Sequence, residues 1–577
     1  MKLRASGLCG LAPAREQVRW RGLFYDRRVT PEDLAAAIAQ VVERAVTAGE
    51  LSVGLPGDVV VERPKTRDHG DYATNTAMRL AKPNSRSPRD IAELLATGLR
   101  RVDGIQAVEI AGPGFLNIRL AAAAQGALVT TIAERGAVYG STTTLVGEAI
   151  NLEYVSANPV GPVHIGSARW AAVGDALARL IVATGATVVR EYYFNDAGAQ
   201  IDRFAASLDA VARGESIPEN GYAGGYIADV AAEVVKANPG LLDEPRDKAL
   251  EVFAHDGIEL MFTAIRKSLA DFGVTFDVYF NEREMHASGA VQATVQKLHE
   301  AGHVFEADGA IWLRTTDFGD DKDRVIVRSD GRPTYFCADL AYYVDKRERG
   351  ADKIVILLGA DHHGYVGRMR SLVSGLGENP DETLEIIIGQ LVNIRGAKLS
   401  KRTGNLLTLE ELVATIGVDA ARYALVRSSM DSTIDLDLDL WASQTSDNPV
   451  FYVQYAHARI ASLLRNAAEL GHPLPDLAGV HLELLNHDKE SDLLGALGEF
   501  PRIVAAAAQF RAPHRVARYL EELAGTYHRF YDACRILPRG DEEPAPEMAP
   551  RLWLCETTRT VLANGLGLLG VGAPERM

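Results

Sequence analysis

The sequence predicts a multidomain α/β chain, with a parallel-sheet core between a small N-terminal α+β domain and an all-α C-terminal region. Three observations predict it. The chain has 577 residues, and since one domain takes roughly 100–200, several are expected. Short, nearly continuous apolar runs (AINLEYV, VVREYYF, DKIVILLGA, LEIIIGQLV) alternate with helical patterns between about 149 and 392. Such runs mark strands buried on both faces of a parallel sheet. From 409 onward the pattern is predominantly helical.

Residues 1–28 are partly cationic but lack the apolar core of a signal peptide, so they read as an N-terminal extension outside the fold. Residues 29–125 carry helical stretches, PEDLAAAIAQVVERAV and PRDIAELLATGLRRV, then the strands IQAVEI and FLNIRL, an α+β pattern. Residues 140–408 form the α/β core. At about 199–328 helices and turns such as GYAGGY and ADGA dilute the alternation, which predicts an insertion. Residues 409–445 read as a linker and 446–577 as a helical domain, whose only long loop is RGDEEPAPEMAP.

Composition bounds the function. At 47% hydrophobic and 24% charged residues the chain can fill its cores, so disorder is not the default reading. A net charge of −16 does not exclude a nucleic-acid partner, because local charge decides that. Cys9, Cys337, Cys534 and Cys555 form no CxxC pair, which argues against a disulfide framework or a cysteine-ligated zinc and fits a reducing cytoplasm. No apolar run is long enough for a membrane span; the longest, Trp170 to Val189, is broken by Asp175 and Arg179.

Chemistry concentrates in a few motifs. ANPVGPVHIGS (157–167) follows the strand AINLEYV and precedes a helix with apolar residues at Trp170, Val173, Leu177, Leu180 and Ile181, one stripe for packing on a sheet. That helix starts at the His164 turn, where free N–H groups and the dipole favour an anion. Far downstream, GAKLSKRTGN (396–405) sets Lys398, Ser400, Lys401 and Arg402 in a Gly-flanked turn, and its lysines can close over a polyphosphate. Taken alone, KLSKR reads as solvated surface and HIG as a structural turn. Glu153 sits in an apolar strand, a costly place for an unpaired charge. SDGRPTYFCADLAYY places Tyr335 and Asp339 four apart, hence on one helix face. GADHHGY closes a strand with polar groups, at the sheet end where open α/β folds bind ligands. Its adjacent histidines point to opposite faces of a strand and do not read as a zinc pair.

In this order and on this core, the two signatures resemble the His-Ile-Gly-His and Lys-Met-Ser-Lys-Ser motifs of class I aminoacyl-tRNA synthetases. The run ExxxxNxxxxxH (Glu153, Asn158, His164), SDGRPTYFCADLAYY, GADHHGY, DHGDYATN, AGPGFLNIRL and NPVFYVQYAHARI narrow the resemblance to arginyl-tRNA synthetases, actinobacterial-like, over Thr30 to Met577. The resemblance implies a Rossmann-type parallel-sheet catalytic core and an all-α anticodon-binding bundle. It implies ATP with Mg²⁺ and no zinc, activation of L-arginine to arginyl-adenylate, and transfer to the 3′ end of tRNA(Arg) by a monomer in the cytoplasm. By the same resemblance His164, Lys398 and Lys401 are catalytic, and they contact ATP together with Gly166, Gly359, Asp361, His362 and Ser400. Glu153, Tyr335 and Asp339 then face the guanidinium, and Asn158 and His363 the amino and carboxylate end. The physics agrees: a planar cation with five donors suits paired acids and flat aromatic surface, which lysine cannot satisfy.

A tRNA face is expected in the helical region. Between Arg511 and Arg539 six arginines, Arg529 among them, meet only Glu521, Glu522 and Asp532, with Tyr519, Tyr527, Phe530 and Tyr531 interspersed. Arginines grip phosphates and aromatics stack on unpaired bases. Tyr452, Tyr455 and Arg459 fall at helical spacing on one face, Val453 and Ile460 on another, and any single one of these tyrosines reads equally as a core residue. The N-terminal domain resembles the family's tRNA-elbow module, with Asn75, Phe115 and Asn117 in its motifs. The family usually carries a second histidine where this chain has Ser167. A hydroxyl can cap a helix and donate to a phosphate but bears no positive charge. That departure admits a rival reading, a catalytically degenerate paralogue that only binds tRNA or a partner, and the turn itself admits a third, a small-molecule nucleotidyltransferase.

Overall fold

A computed structural model describes residues 31–64, 69–196, 198–395 and 407–577, apart from the side chains at 32, 122–125, 284, 286, 361 and 363. Residues 1–28, Asp68 of DHGDYATN, and Lys398, Ser400 and Lys401 therefore lie outside the described residues, as do the side chains of Asp361 and His363. The chain divides into two compact units. One comprises residues up to 130 with 482–486, and the other 131–481 with 487–577.

In the first unit, β1 (Tyr72–Thr74), β2 (Ile105–Ala111) and β3 (Phe115–Leu120) form an antiparallel sheet in the order β1-β3-β2. Leu34, Ile38, Ile91, Leu95, Leu116 and Ile118 make its core. The helix Pro88–Leu99 begins where the sequence places its stop–start signal: proline occupies its first turn, and Ser87 Oγ accepts from Asp90 N at 3.1 Å.

The second unit is built on a five-stranded parallel sheet of β4 (Ala149–Glu153), β5 (Thr187–Phe194), β6 (Val278–Asn281), β10 (Lys353–Gly359) and β11 (Leu384–Gly389). Its order is β11-β10-β4-β5-β6. The chain runs outward from β4 through β5 to β6, then returns to the other side of β4 for β10 and β11. Strand order thus reverses between β4 and β10, where an open α/β sheet leaves a crevice beyond the strands' carboxyl ends. Glu153 ends β4 and Gly359 ends β10.

Two sequence expectations change here. The expected insertion at 199–328 is not continuous, since β6 within it joins the core sheet. Before β6 come the helices Ala199–Ala212, Gly225–Ala237 and Arg246–Asp271. After it come Glu282–Ala287, Ala290–Glu300 and an antiparallel sheet of β7 (Val304–Ala307), β8 (Ala310–Leu313) and β9 (Arg324–Val327). Four residues, VYFN, are too short to announce a strand by periodicity. The helix Ile165–Ala183 is likewise buried nearly all round and not along one stripe. The sheet covers one side, and helices Val418–Val426, Phe500–Gln509 and Met548–Leu568 pack on others.

The C-terminal part is helical (Pro449–Glu469, Asp488–Gly498, Phe500–Gln509, His514–Ala533, Met548–Leu568). The region after 409 still contributes one strand, β13 (Ile434–Asp437), parallel to β12 (Val392–Arg395).

Candidate active site

Beyond the switch point lies a cavity of about 1130 Å³, lined by Glu153, Asn158, His164, Tyr335, Asp339 and His362, with Gly359 on its wall. Residues that the sequence scatters over two hundred positions thus share one space.

His164 precedes the helix Ile165–Ala183 and caps it. Its Nδ1 accepts from Gly166 N at 3.1 Å and from Ser167 N at 3.3 Å. That arrangement leaves Nδ1 unprotonated and puts the neutral ring's proton on Nε2. Ser167 Oγ lies 3.4 Å from Nε2, so the hydroxyl standing for the family's second histidine lies against the first. The ring stays reachable from solvent, yet burial of its surroundings holds its pKa below the ordinary histidine value. A neutral imidazole and a helix dipole together suit a phosphate, but the free N–H groups expected here are engaged, those of Gly166 and Ser167 by the His164 ring and that of Ile165 by Leu407 O.

Residues 407–409 meet the His164 turn. Leu407 O accepts from Ile165 N at 2.9 Å and Leu409 N donates to Val163 O at 2.7 Å. His164 and Thr408 form an antiparallel bridge. Thr408 then starts the helix Leu409–Ile416 with a capping box closed by Glu411.

Three acids meet in the cavity. Glu153 is 6% exposed and Glu282, which begins the helix Glu282–Ala287, is 7% exposed. Asp339 lies one turn into the helix Tyr335–Glu348, on the face that also presents Tyr335, 71% exposed. Burial, then the charges of Glu153 and Glu282, push the pKa of Asp339 up to about 7, against a hydrogen bond from Tyr365. Tyr193 Oη donates to Glu282 Oε2 at 2.6 Å. Lys346 pairs with Glu153 Oε2, and both side chains are almost fully buried.

Backbone strain follows Glu153. Val155 (φ 71°) and Ser156 (φ 40°) both adopt left-handed conformations, which for a β-branched residue costs about 1–3 kcal/mol. Ser156 offsets it, donating to Glu153 Oε1 at 2.9 Å and accepting from Tyr193 N at 3.2 Å. Asn158 accepts from Asn195 N at 3.2 Å and donates to Gln200 Oε1 at 2.9 Å, which holds its amide at the rim.

Family models match three consecutive stretches: "Arginyl tRNA synthetase N terminal domain" over 32–120, "tRNA synthetases class I (R), catalytic domain" over 130–437, and "DALR anticodon binding domain" over 453–577. The chain is 57% identical over 556 residues to the arginine–tRNA ligase of Kineococcus radiotolerans, covering 95% of this chain and 100% of that one. The chain belongs to the arginyl-tRNA synthetase family. A second arginine–tRNA ligase, from Frankia alni, is 58% identical over 553 residues, with 95% and 100% coverage. A solved arginyl-tRNA synthetase from Campylobacter jejuni superposes with a TM-score of 0.72 at 32% identity, over 79% of this chain and 100% of that one. The Thermus thermophilus enzyme gives 0.74 at 22% identity, over 95% and 100%, and shares the fold.

In this synthetase the sequence reading missed Lys346, Glu282, Tyr193 and Tyr365. Lys346 follows Asp339 by two helical turns, a usable signal, but it sits in DKRER, which reads as surface. Glu282 in NERE offers none.

On the expected tRNA face, Tyr452, Tyr455 and Arg459 share one side of helix Pro449–Glu469, while Val453 and Ile460 are buried on another. His528 joins them, its ring 5.2 Å from Tyr452 and 6.0 Å from Tyr455, and the Arg459 guanidinium lies 4.0 Å from the centroid of Tyr531. Arg515, Arg518, Arg529, Arg535 and Arg539 are exposed. Of the aromatics in this helix, which the sequence left open between stacking surface and core, Tyr519, Tyr527 and Phe530 are core residues and Tyr531 stays partly open. Their side of helix His514–Ala533 faces neighbouring helices, which periodicity within one helix cannot reveal. In the other unit, Phe115 is 41% exposed and Asn117 is buried. Asn75 Oδ1 is buried without a hydrogen-bond partner among the described residues.

No helix among the described residues is long and apolar enough to cross a membrane.

Proposed function

We propose that this synthetase activates L-arginine with ATP and delivers it to the 3′ end of tRNA(Arg), with the guanidinium received by the acids at the β4–β10 switch point. The observation that carries this reading is the gathering of Glu153, Asp339 and Glu282 beside His164. A buried acid cluster is costly unless a cation completes it, and a fixed, forked cation completes it best.

ATP would lie over the start of helix 165–183, against Gly166, Gly359 and His362, with Asp361 and Ser400 as further contacts. His164 Nε2–H would donate to the α-phosphate while Lys398 and Lys401 meet the departing pyrophosphate. Mg²⁺ enters with ATP, ligated by phosphate oxygens. Among the described residues no three His, Cys, Asp or Glu side chains gather to hold a metal by themselves.

In the first step an arginine carboxylate oxygen attacks the α-phosphorus, a P–O bond forms and pyrophosphate leaves. In the second a hydroxyl of the terminal ribose attacks the adenylate carbonyl and AMP leaves. Glu153, Asp339 and Tyr335 orient the guanidinium, Asn158 and His363 the α-amino and carboxylate end, so that the attacking oxygen faces phosphorus. Residues 29–125, with Asn75 and Phe115, would meet the tRNA elbow. Residues 409–445 would contact the stem, and 446–577 the anticodon loop through Tyr452, Tyr455, Arg459 and Arg529. The chain would act as a cytoplasmic monomer.

Arginine-dependent ATP–pyrophosphate exchange, with and without tRNA(Arg), tests the reading. Exchange driven by arginine supports it. Tight tRNA binding with no exchange would support a noncatalytic paralogue, and exchange driven by another nucleophile a different transferase.

A further inference from the structure

The acid cluster has its own resident cation. Lys346 is 1% exposed and is the only lysine or arginine among the described residues lining the cavity. Its ammonium pairs with Glu153 Oε2 and lies 4.1 Å from the ring centroid of Tyr342. Ser156 holds the other Glu153 oxygen, so neither oxygen can turn without losing a bond. Behind Lys346 lies a second buried acid, Glu191. It accepts from Asn151 Nδ2 at 2.6 Å and from Arg349 Nη2 at 2.8 Å, and Arg349 also pairs with Asp345. The Lys346 charge also favours the ionised form of Glu191, but its direct ion pair is with Glu153.

We propose that Lys346 is a positioning residue for arginine selection: its ammonium fixes the Glu153 carboxylate and offsets part of the cluster's negative charge, so that Glu153 and Asp339 meet the substrate's guanidinium in one set geometry. The proposal rests on the reading that Glu153 and Asp339 receive the guanidinium. Without the ammonium, Glu153 is a buried charge without its cation, and the carboxyl cluster holds protons more tightly at the pH where arginine must bind. The groups facing this cluster are Glu153 from β4, Tyr193 and Glu191 from β5, Glu282 from its helix, Asp339, Tyr342 and Lys346 from helix 335–348, and Tyr365 from the helix His363–Gly375.

The test measures KM for arginine and for ATP in tRNA-supported exchange, using Lys346→Met and Lys346→Gln, each alone and combined with Glu153→Gln, over pH 6 to 9. The expected result is an arginine KM raised about tenfold or more with ATP KM within about twofold. The acid limb of kcat/KM for arginine should move to higher pH, and the effect should largely vanish in the Glu153→Gln background, because the lysine acts through that acid. An unchanged arginine KM, an undiminished effect in Glu153→Gln, a parallel rise in both KM values, or failure of both variants to fold would overturn it. Asp339→Asn serves as the parallel control. If it raises arginine KM while the Lys346 variants do not, only this inference fails; if it also does nothing, the pocket reading fails.

Discussion

Arg422 and Asp175 form an ion pair from which water is almost wholly excluded, the two side chains being 1% and 2% exposed. The same guanidinium donates to Phe272 O at 2.9 Å and Leu569 O at 3.2 Å. It therefore ties the catalytic helix 165–183 to the end of helix 246–271 and to the C-terminal segment. Burial lowers the Arg422 pKa, and Asp175 opposes that shift. Arg422→Met leaves Asp175 buried with its exposed neighbour Arg179 alone, and the expected loss is about 3–5 kcal/mol. Thermal unfolding of the variant checks it; a Tm unchanged within a degree contradicts the tie.

His164 does two jobs that a substitution can separate. Asparagine is a good N-cap, so His164→Asn should keep the melting temperature while removing the Nε2–H. Adenylate formation should slow by about 10²–10³-fold with arginine KM little changed. Rapid-quench measurement of the first turnover, beside a melting curve, reads both.

Asp339 makes stability depend on pH in the direction opposite to an ordinary surface acid. In the folded chain it keeps its proton up to about pH 7, whereas in the unfolded chain it gives the proton up near ~3.9. Between those values the folded state binds more protons, so the contribution is fully present below the lower value and is lost as pH rises through the upper one. Asp339→Asn has no proton to lose. Its stability relative to the parent should rise by about 1 kcal/mol per pH unit from pH 4 to pH 7 and then level off. Denaturant titrations at four pH values decide the point, and a constant difference across them would count against a buried acid.

Much of the site was readable from residues alone. Glu153 in an apolar strand, Asp339 one turn from Tyr335, and the His164 turn before a helix all come together, because each rests on a local rule about strand burial, helical spacing or dipole. What stayed hidden depended on neighbours distant in sequence. The helix 165–183 looked like a one-sided helix, but a helical layer closes its other side. Tyr519, Tyr527 and Phe530, among arginines, read as stacking surface or core alike, and the adjoining helices bury them. Lys346 was legible as the third member of a helical face, yet its flanking charges disguised it.

The aromatic and cationic face of helix 449–469 should govern tRNA use and leave amino-acid use alone. Tyr455→Ala removes a 43%-exposed ring, and the loss of one stacked base is expected to cost about 1–3 kcal/mol. Arg459→Ala should weaken tRNA binding and lower the dependence of log Kd on log salt by about 1. Filter binding across a salt series checks both variants. A salt slope unchanged in Arg459→Ala would place that guanidinium away from phosphate.

The most direct measurement is the pair of Michaelis constants for Asp339→Ala in tRNA-supported pyrophosphate exchange. With the acid that meets the guanidinium removed, KM for arginine should rise by about 10²-fold or more while KM for ATP stays within about threefold. A rise in the ATP constant with the arginine constant unmoved would contradict the account, for the cavity's acids would then serve the nucleotide.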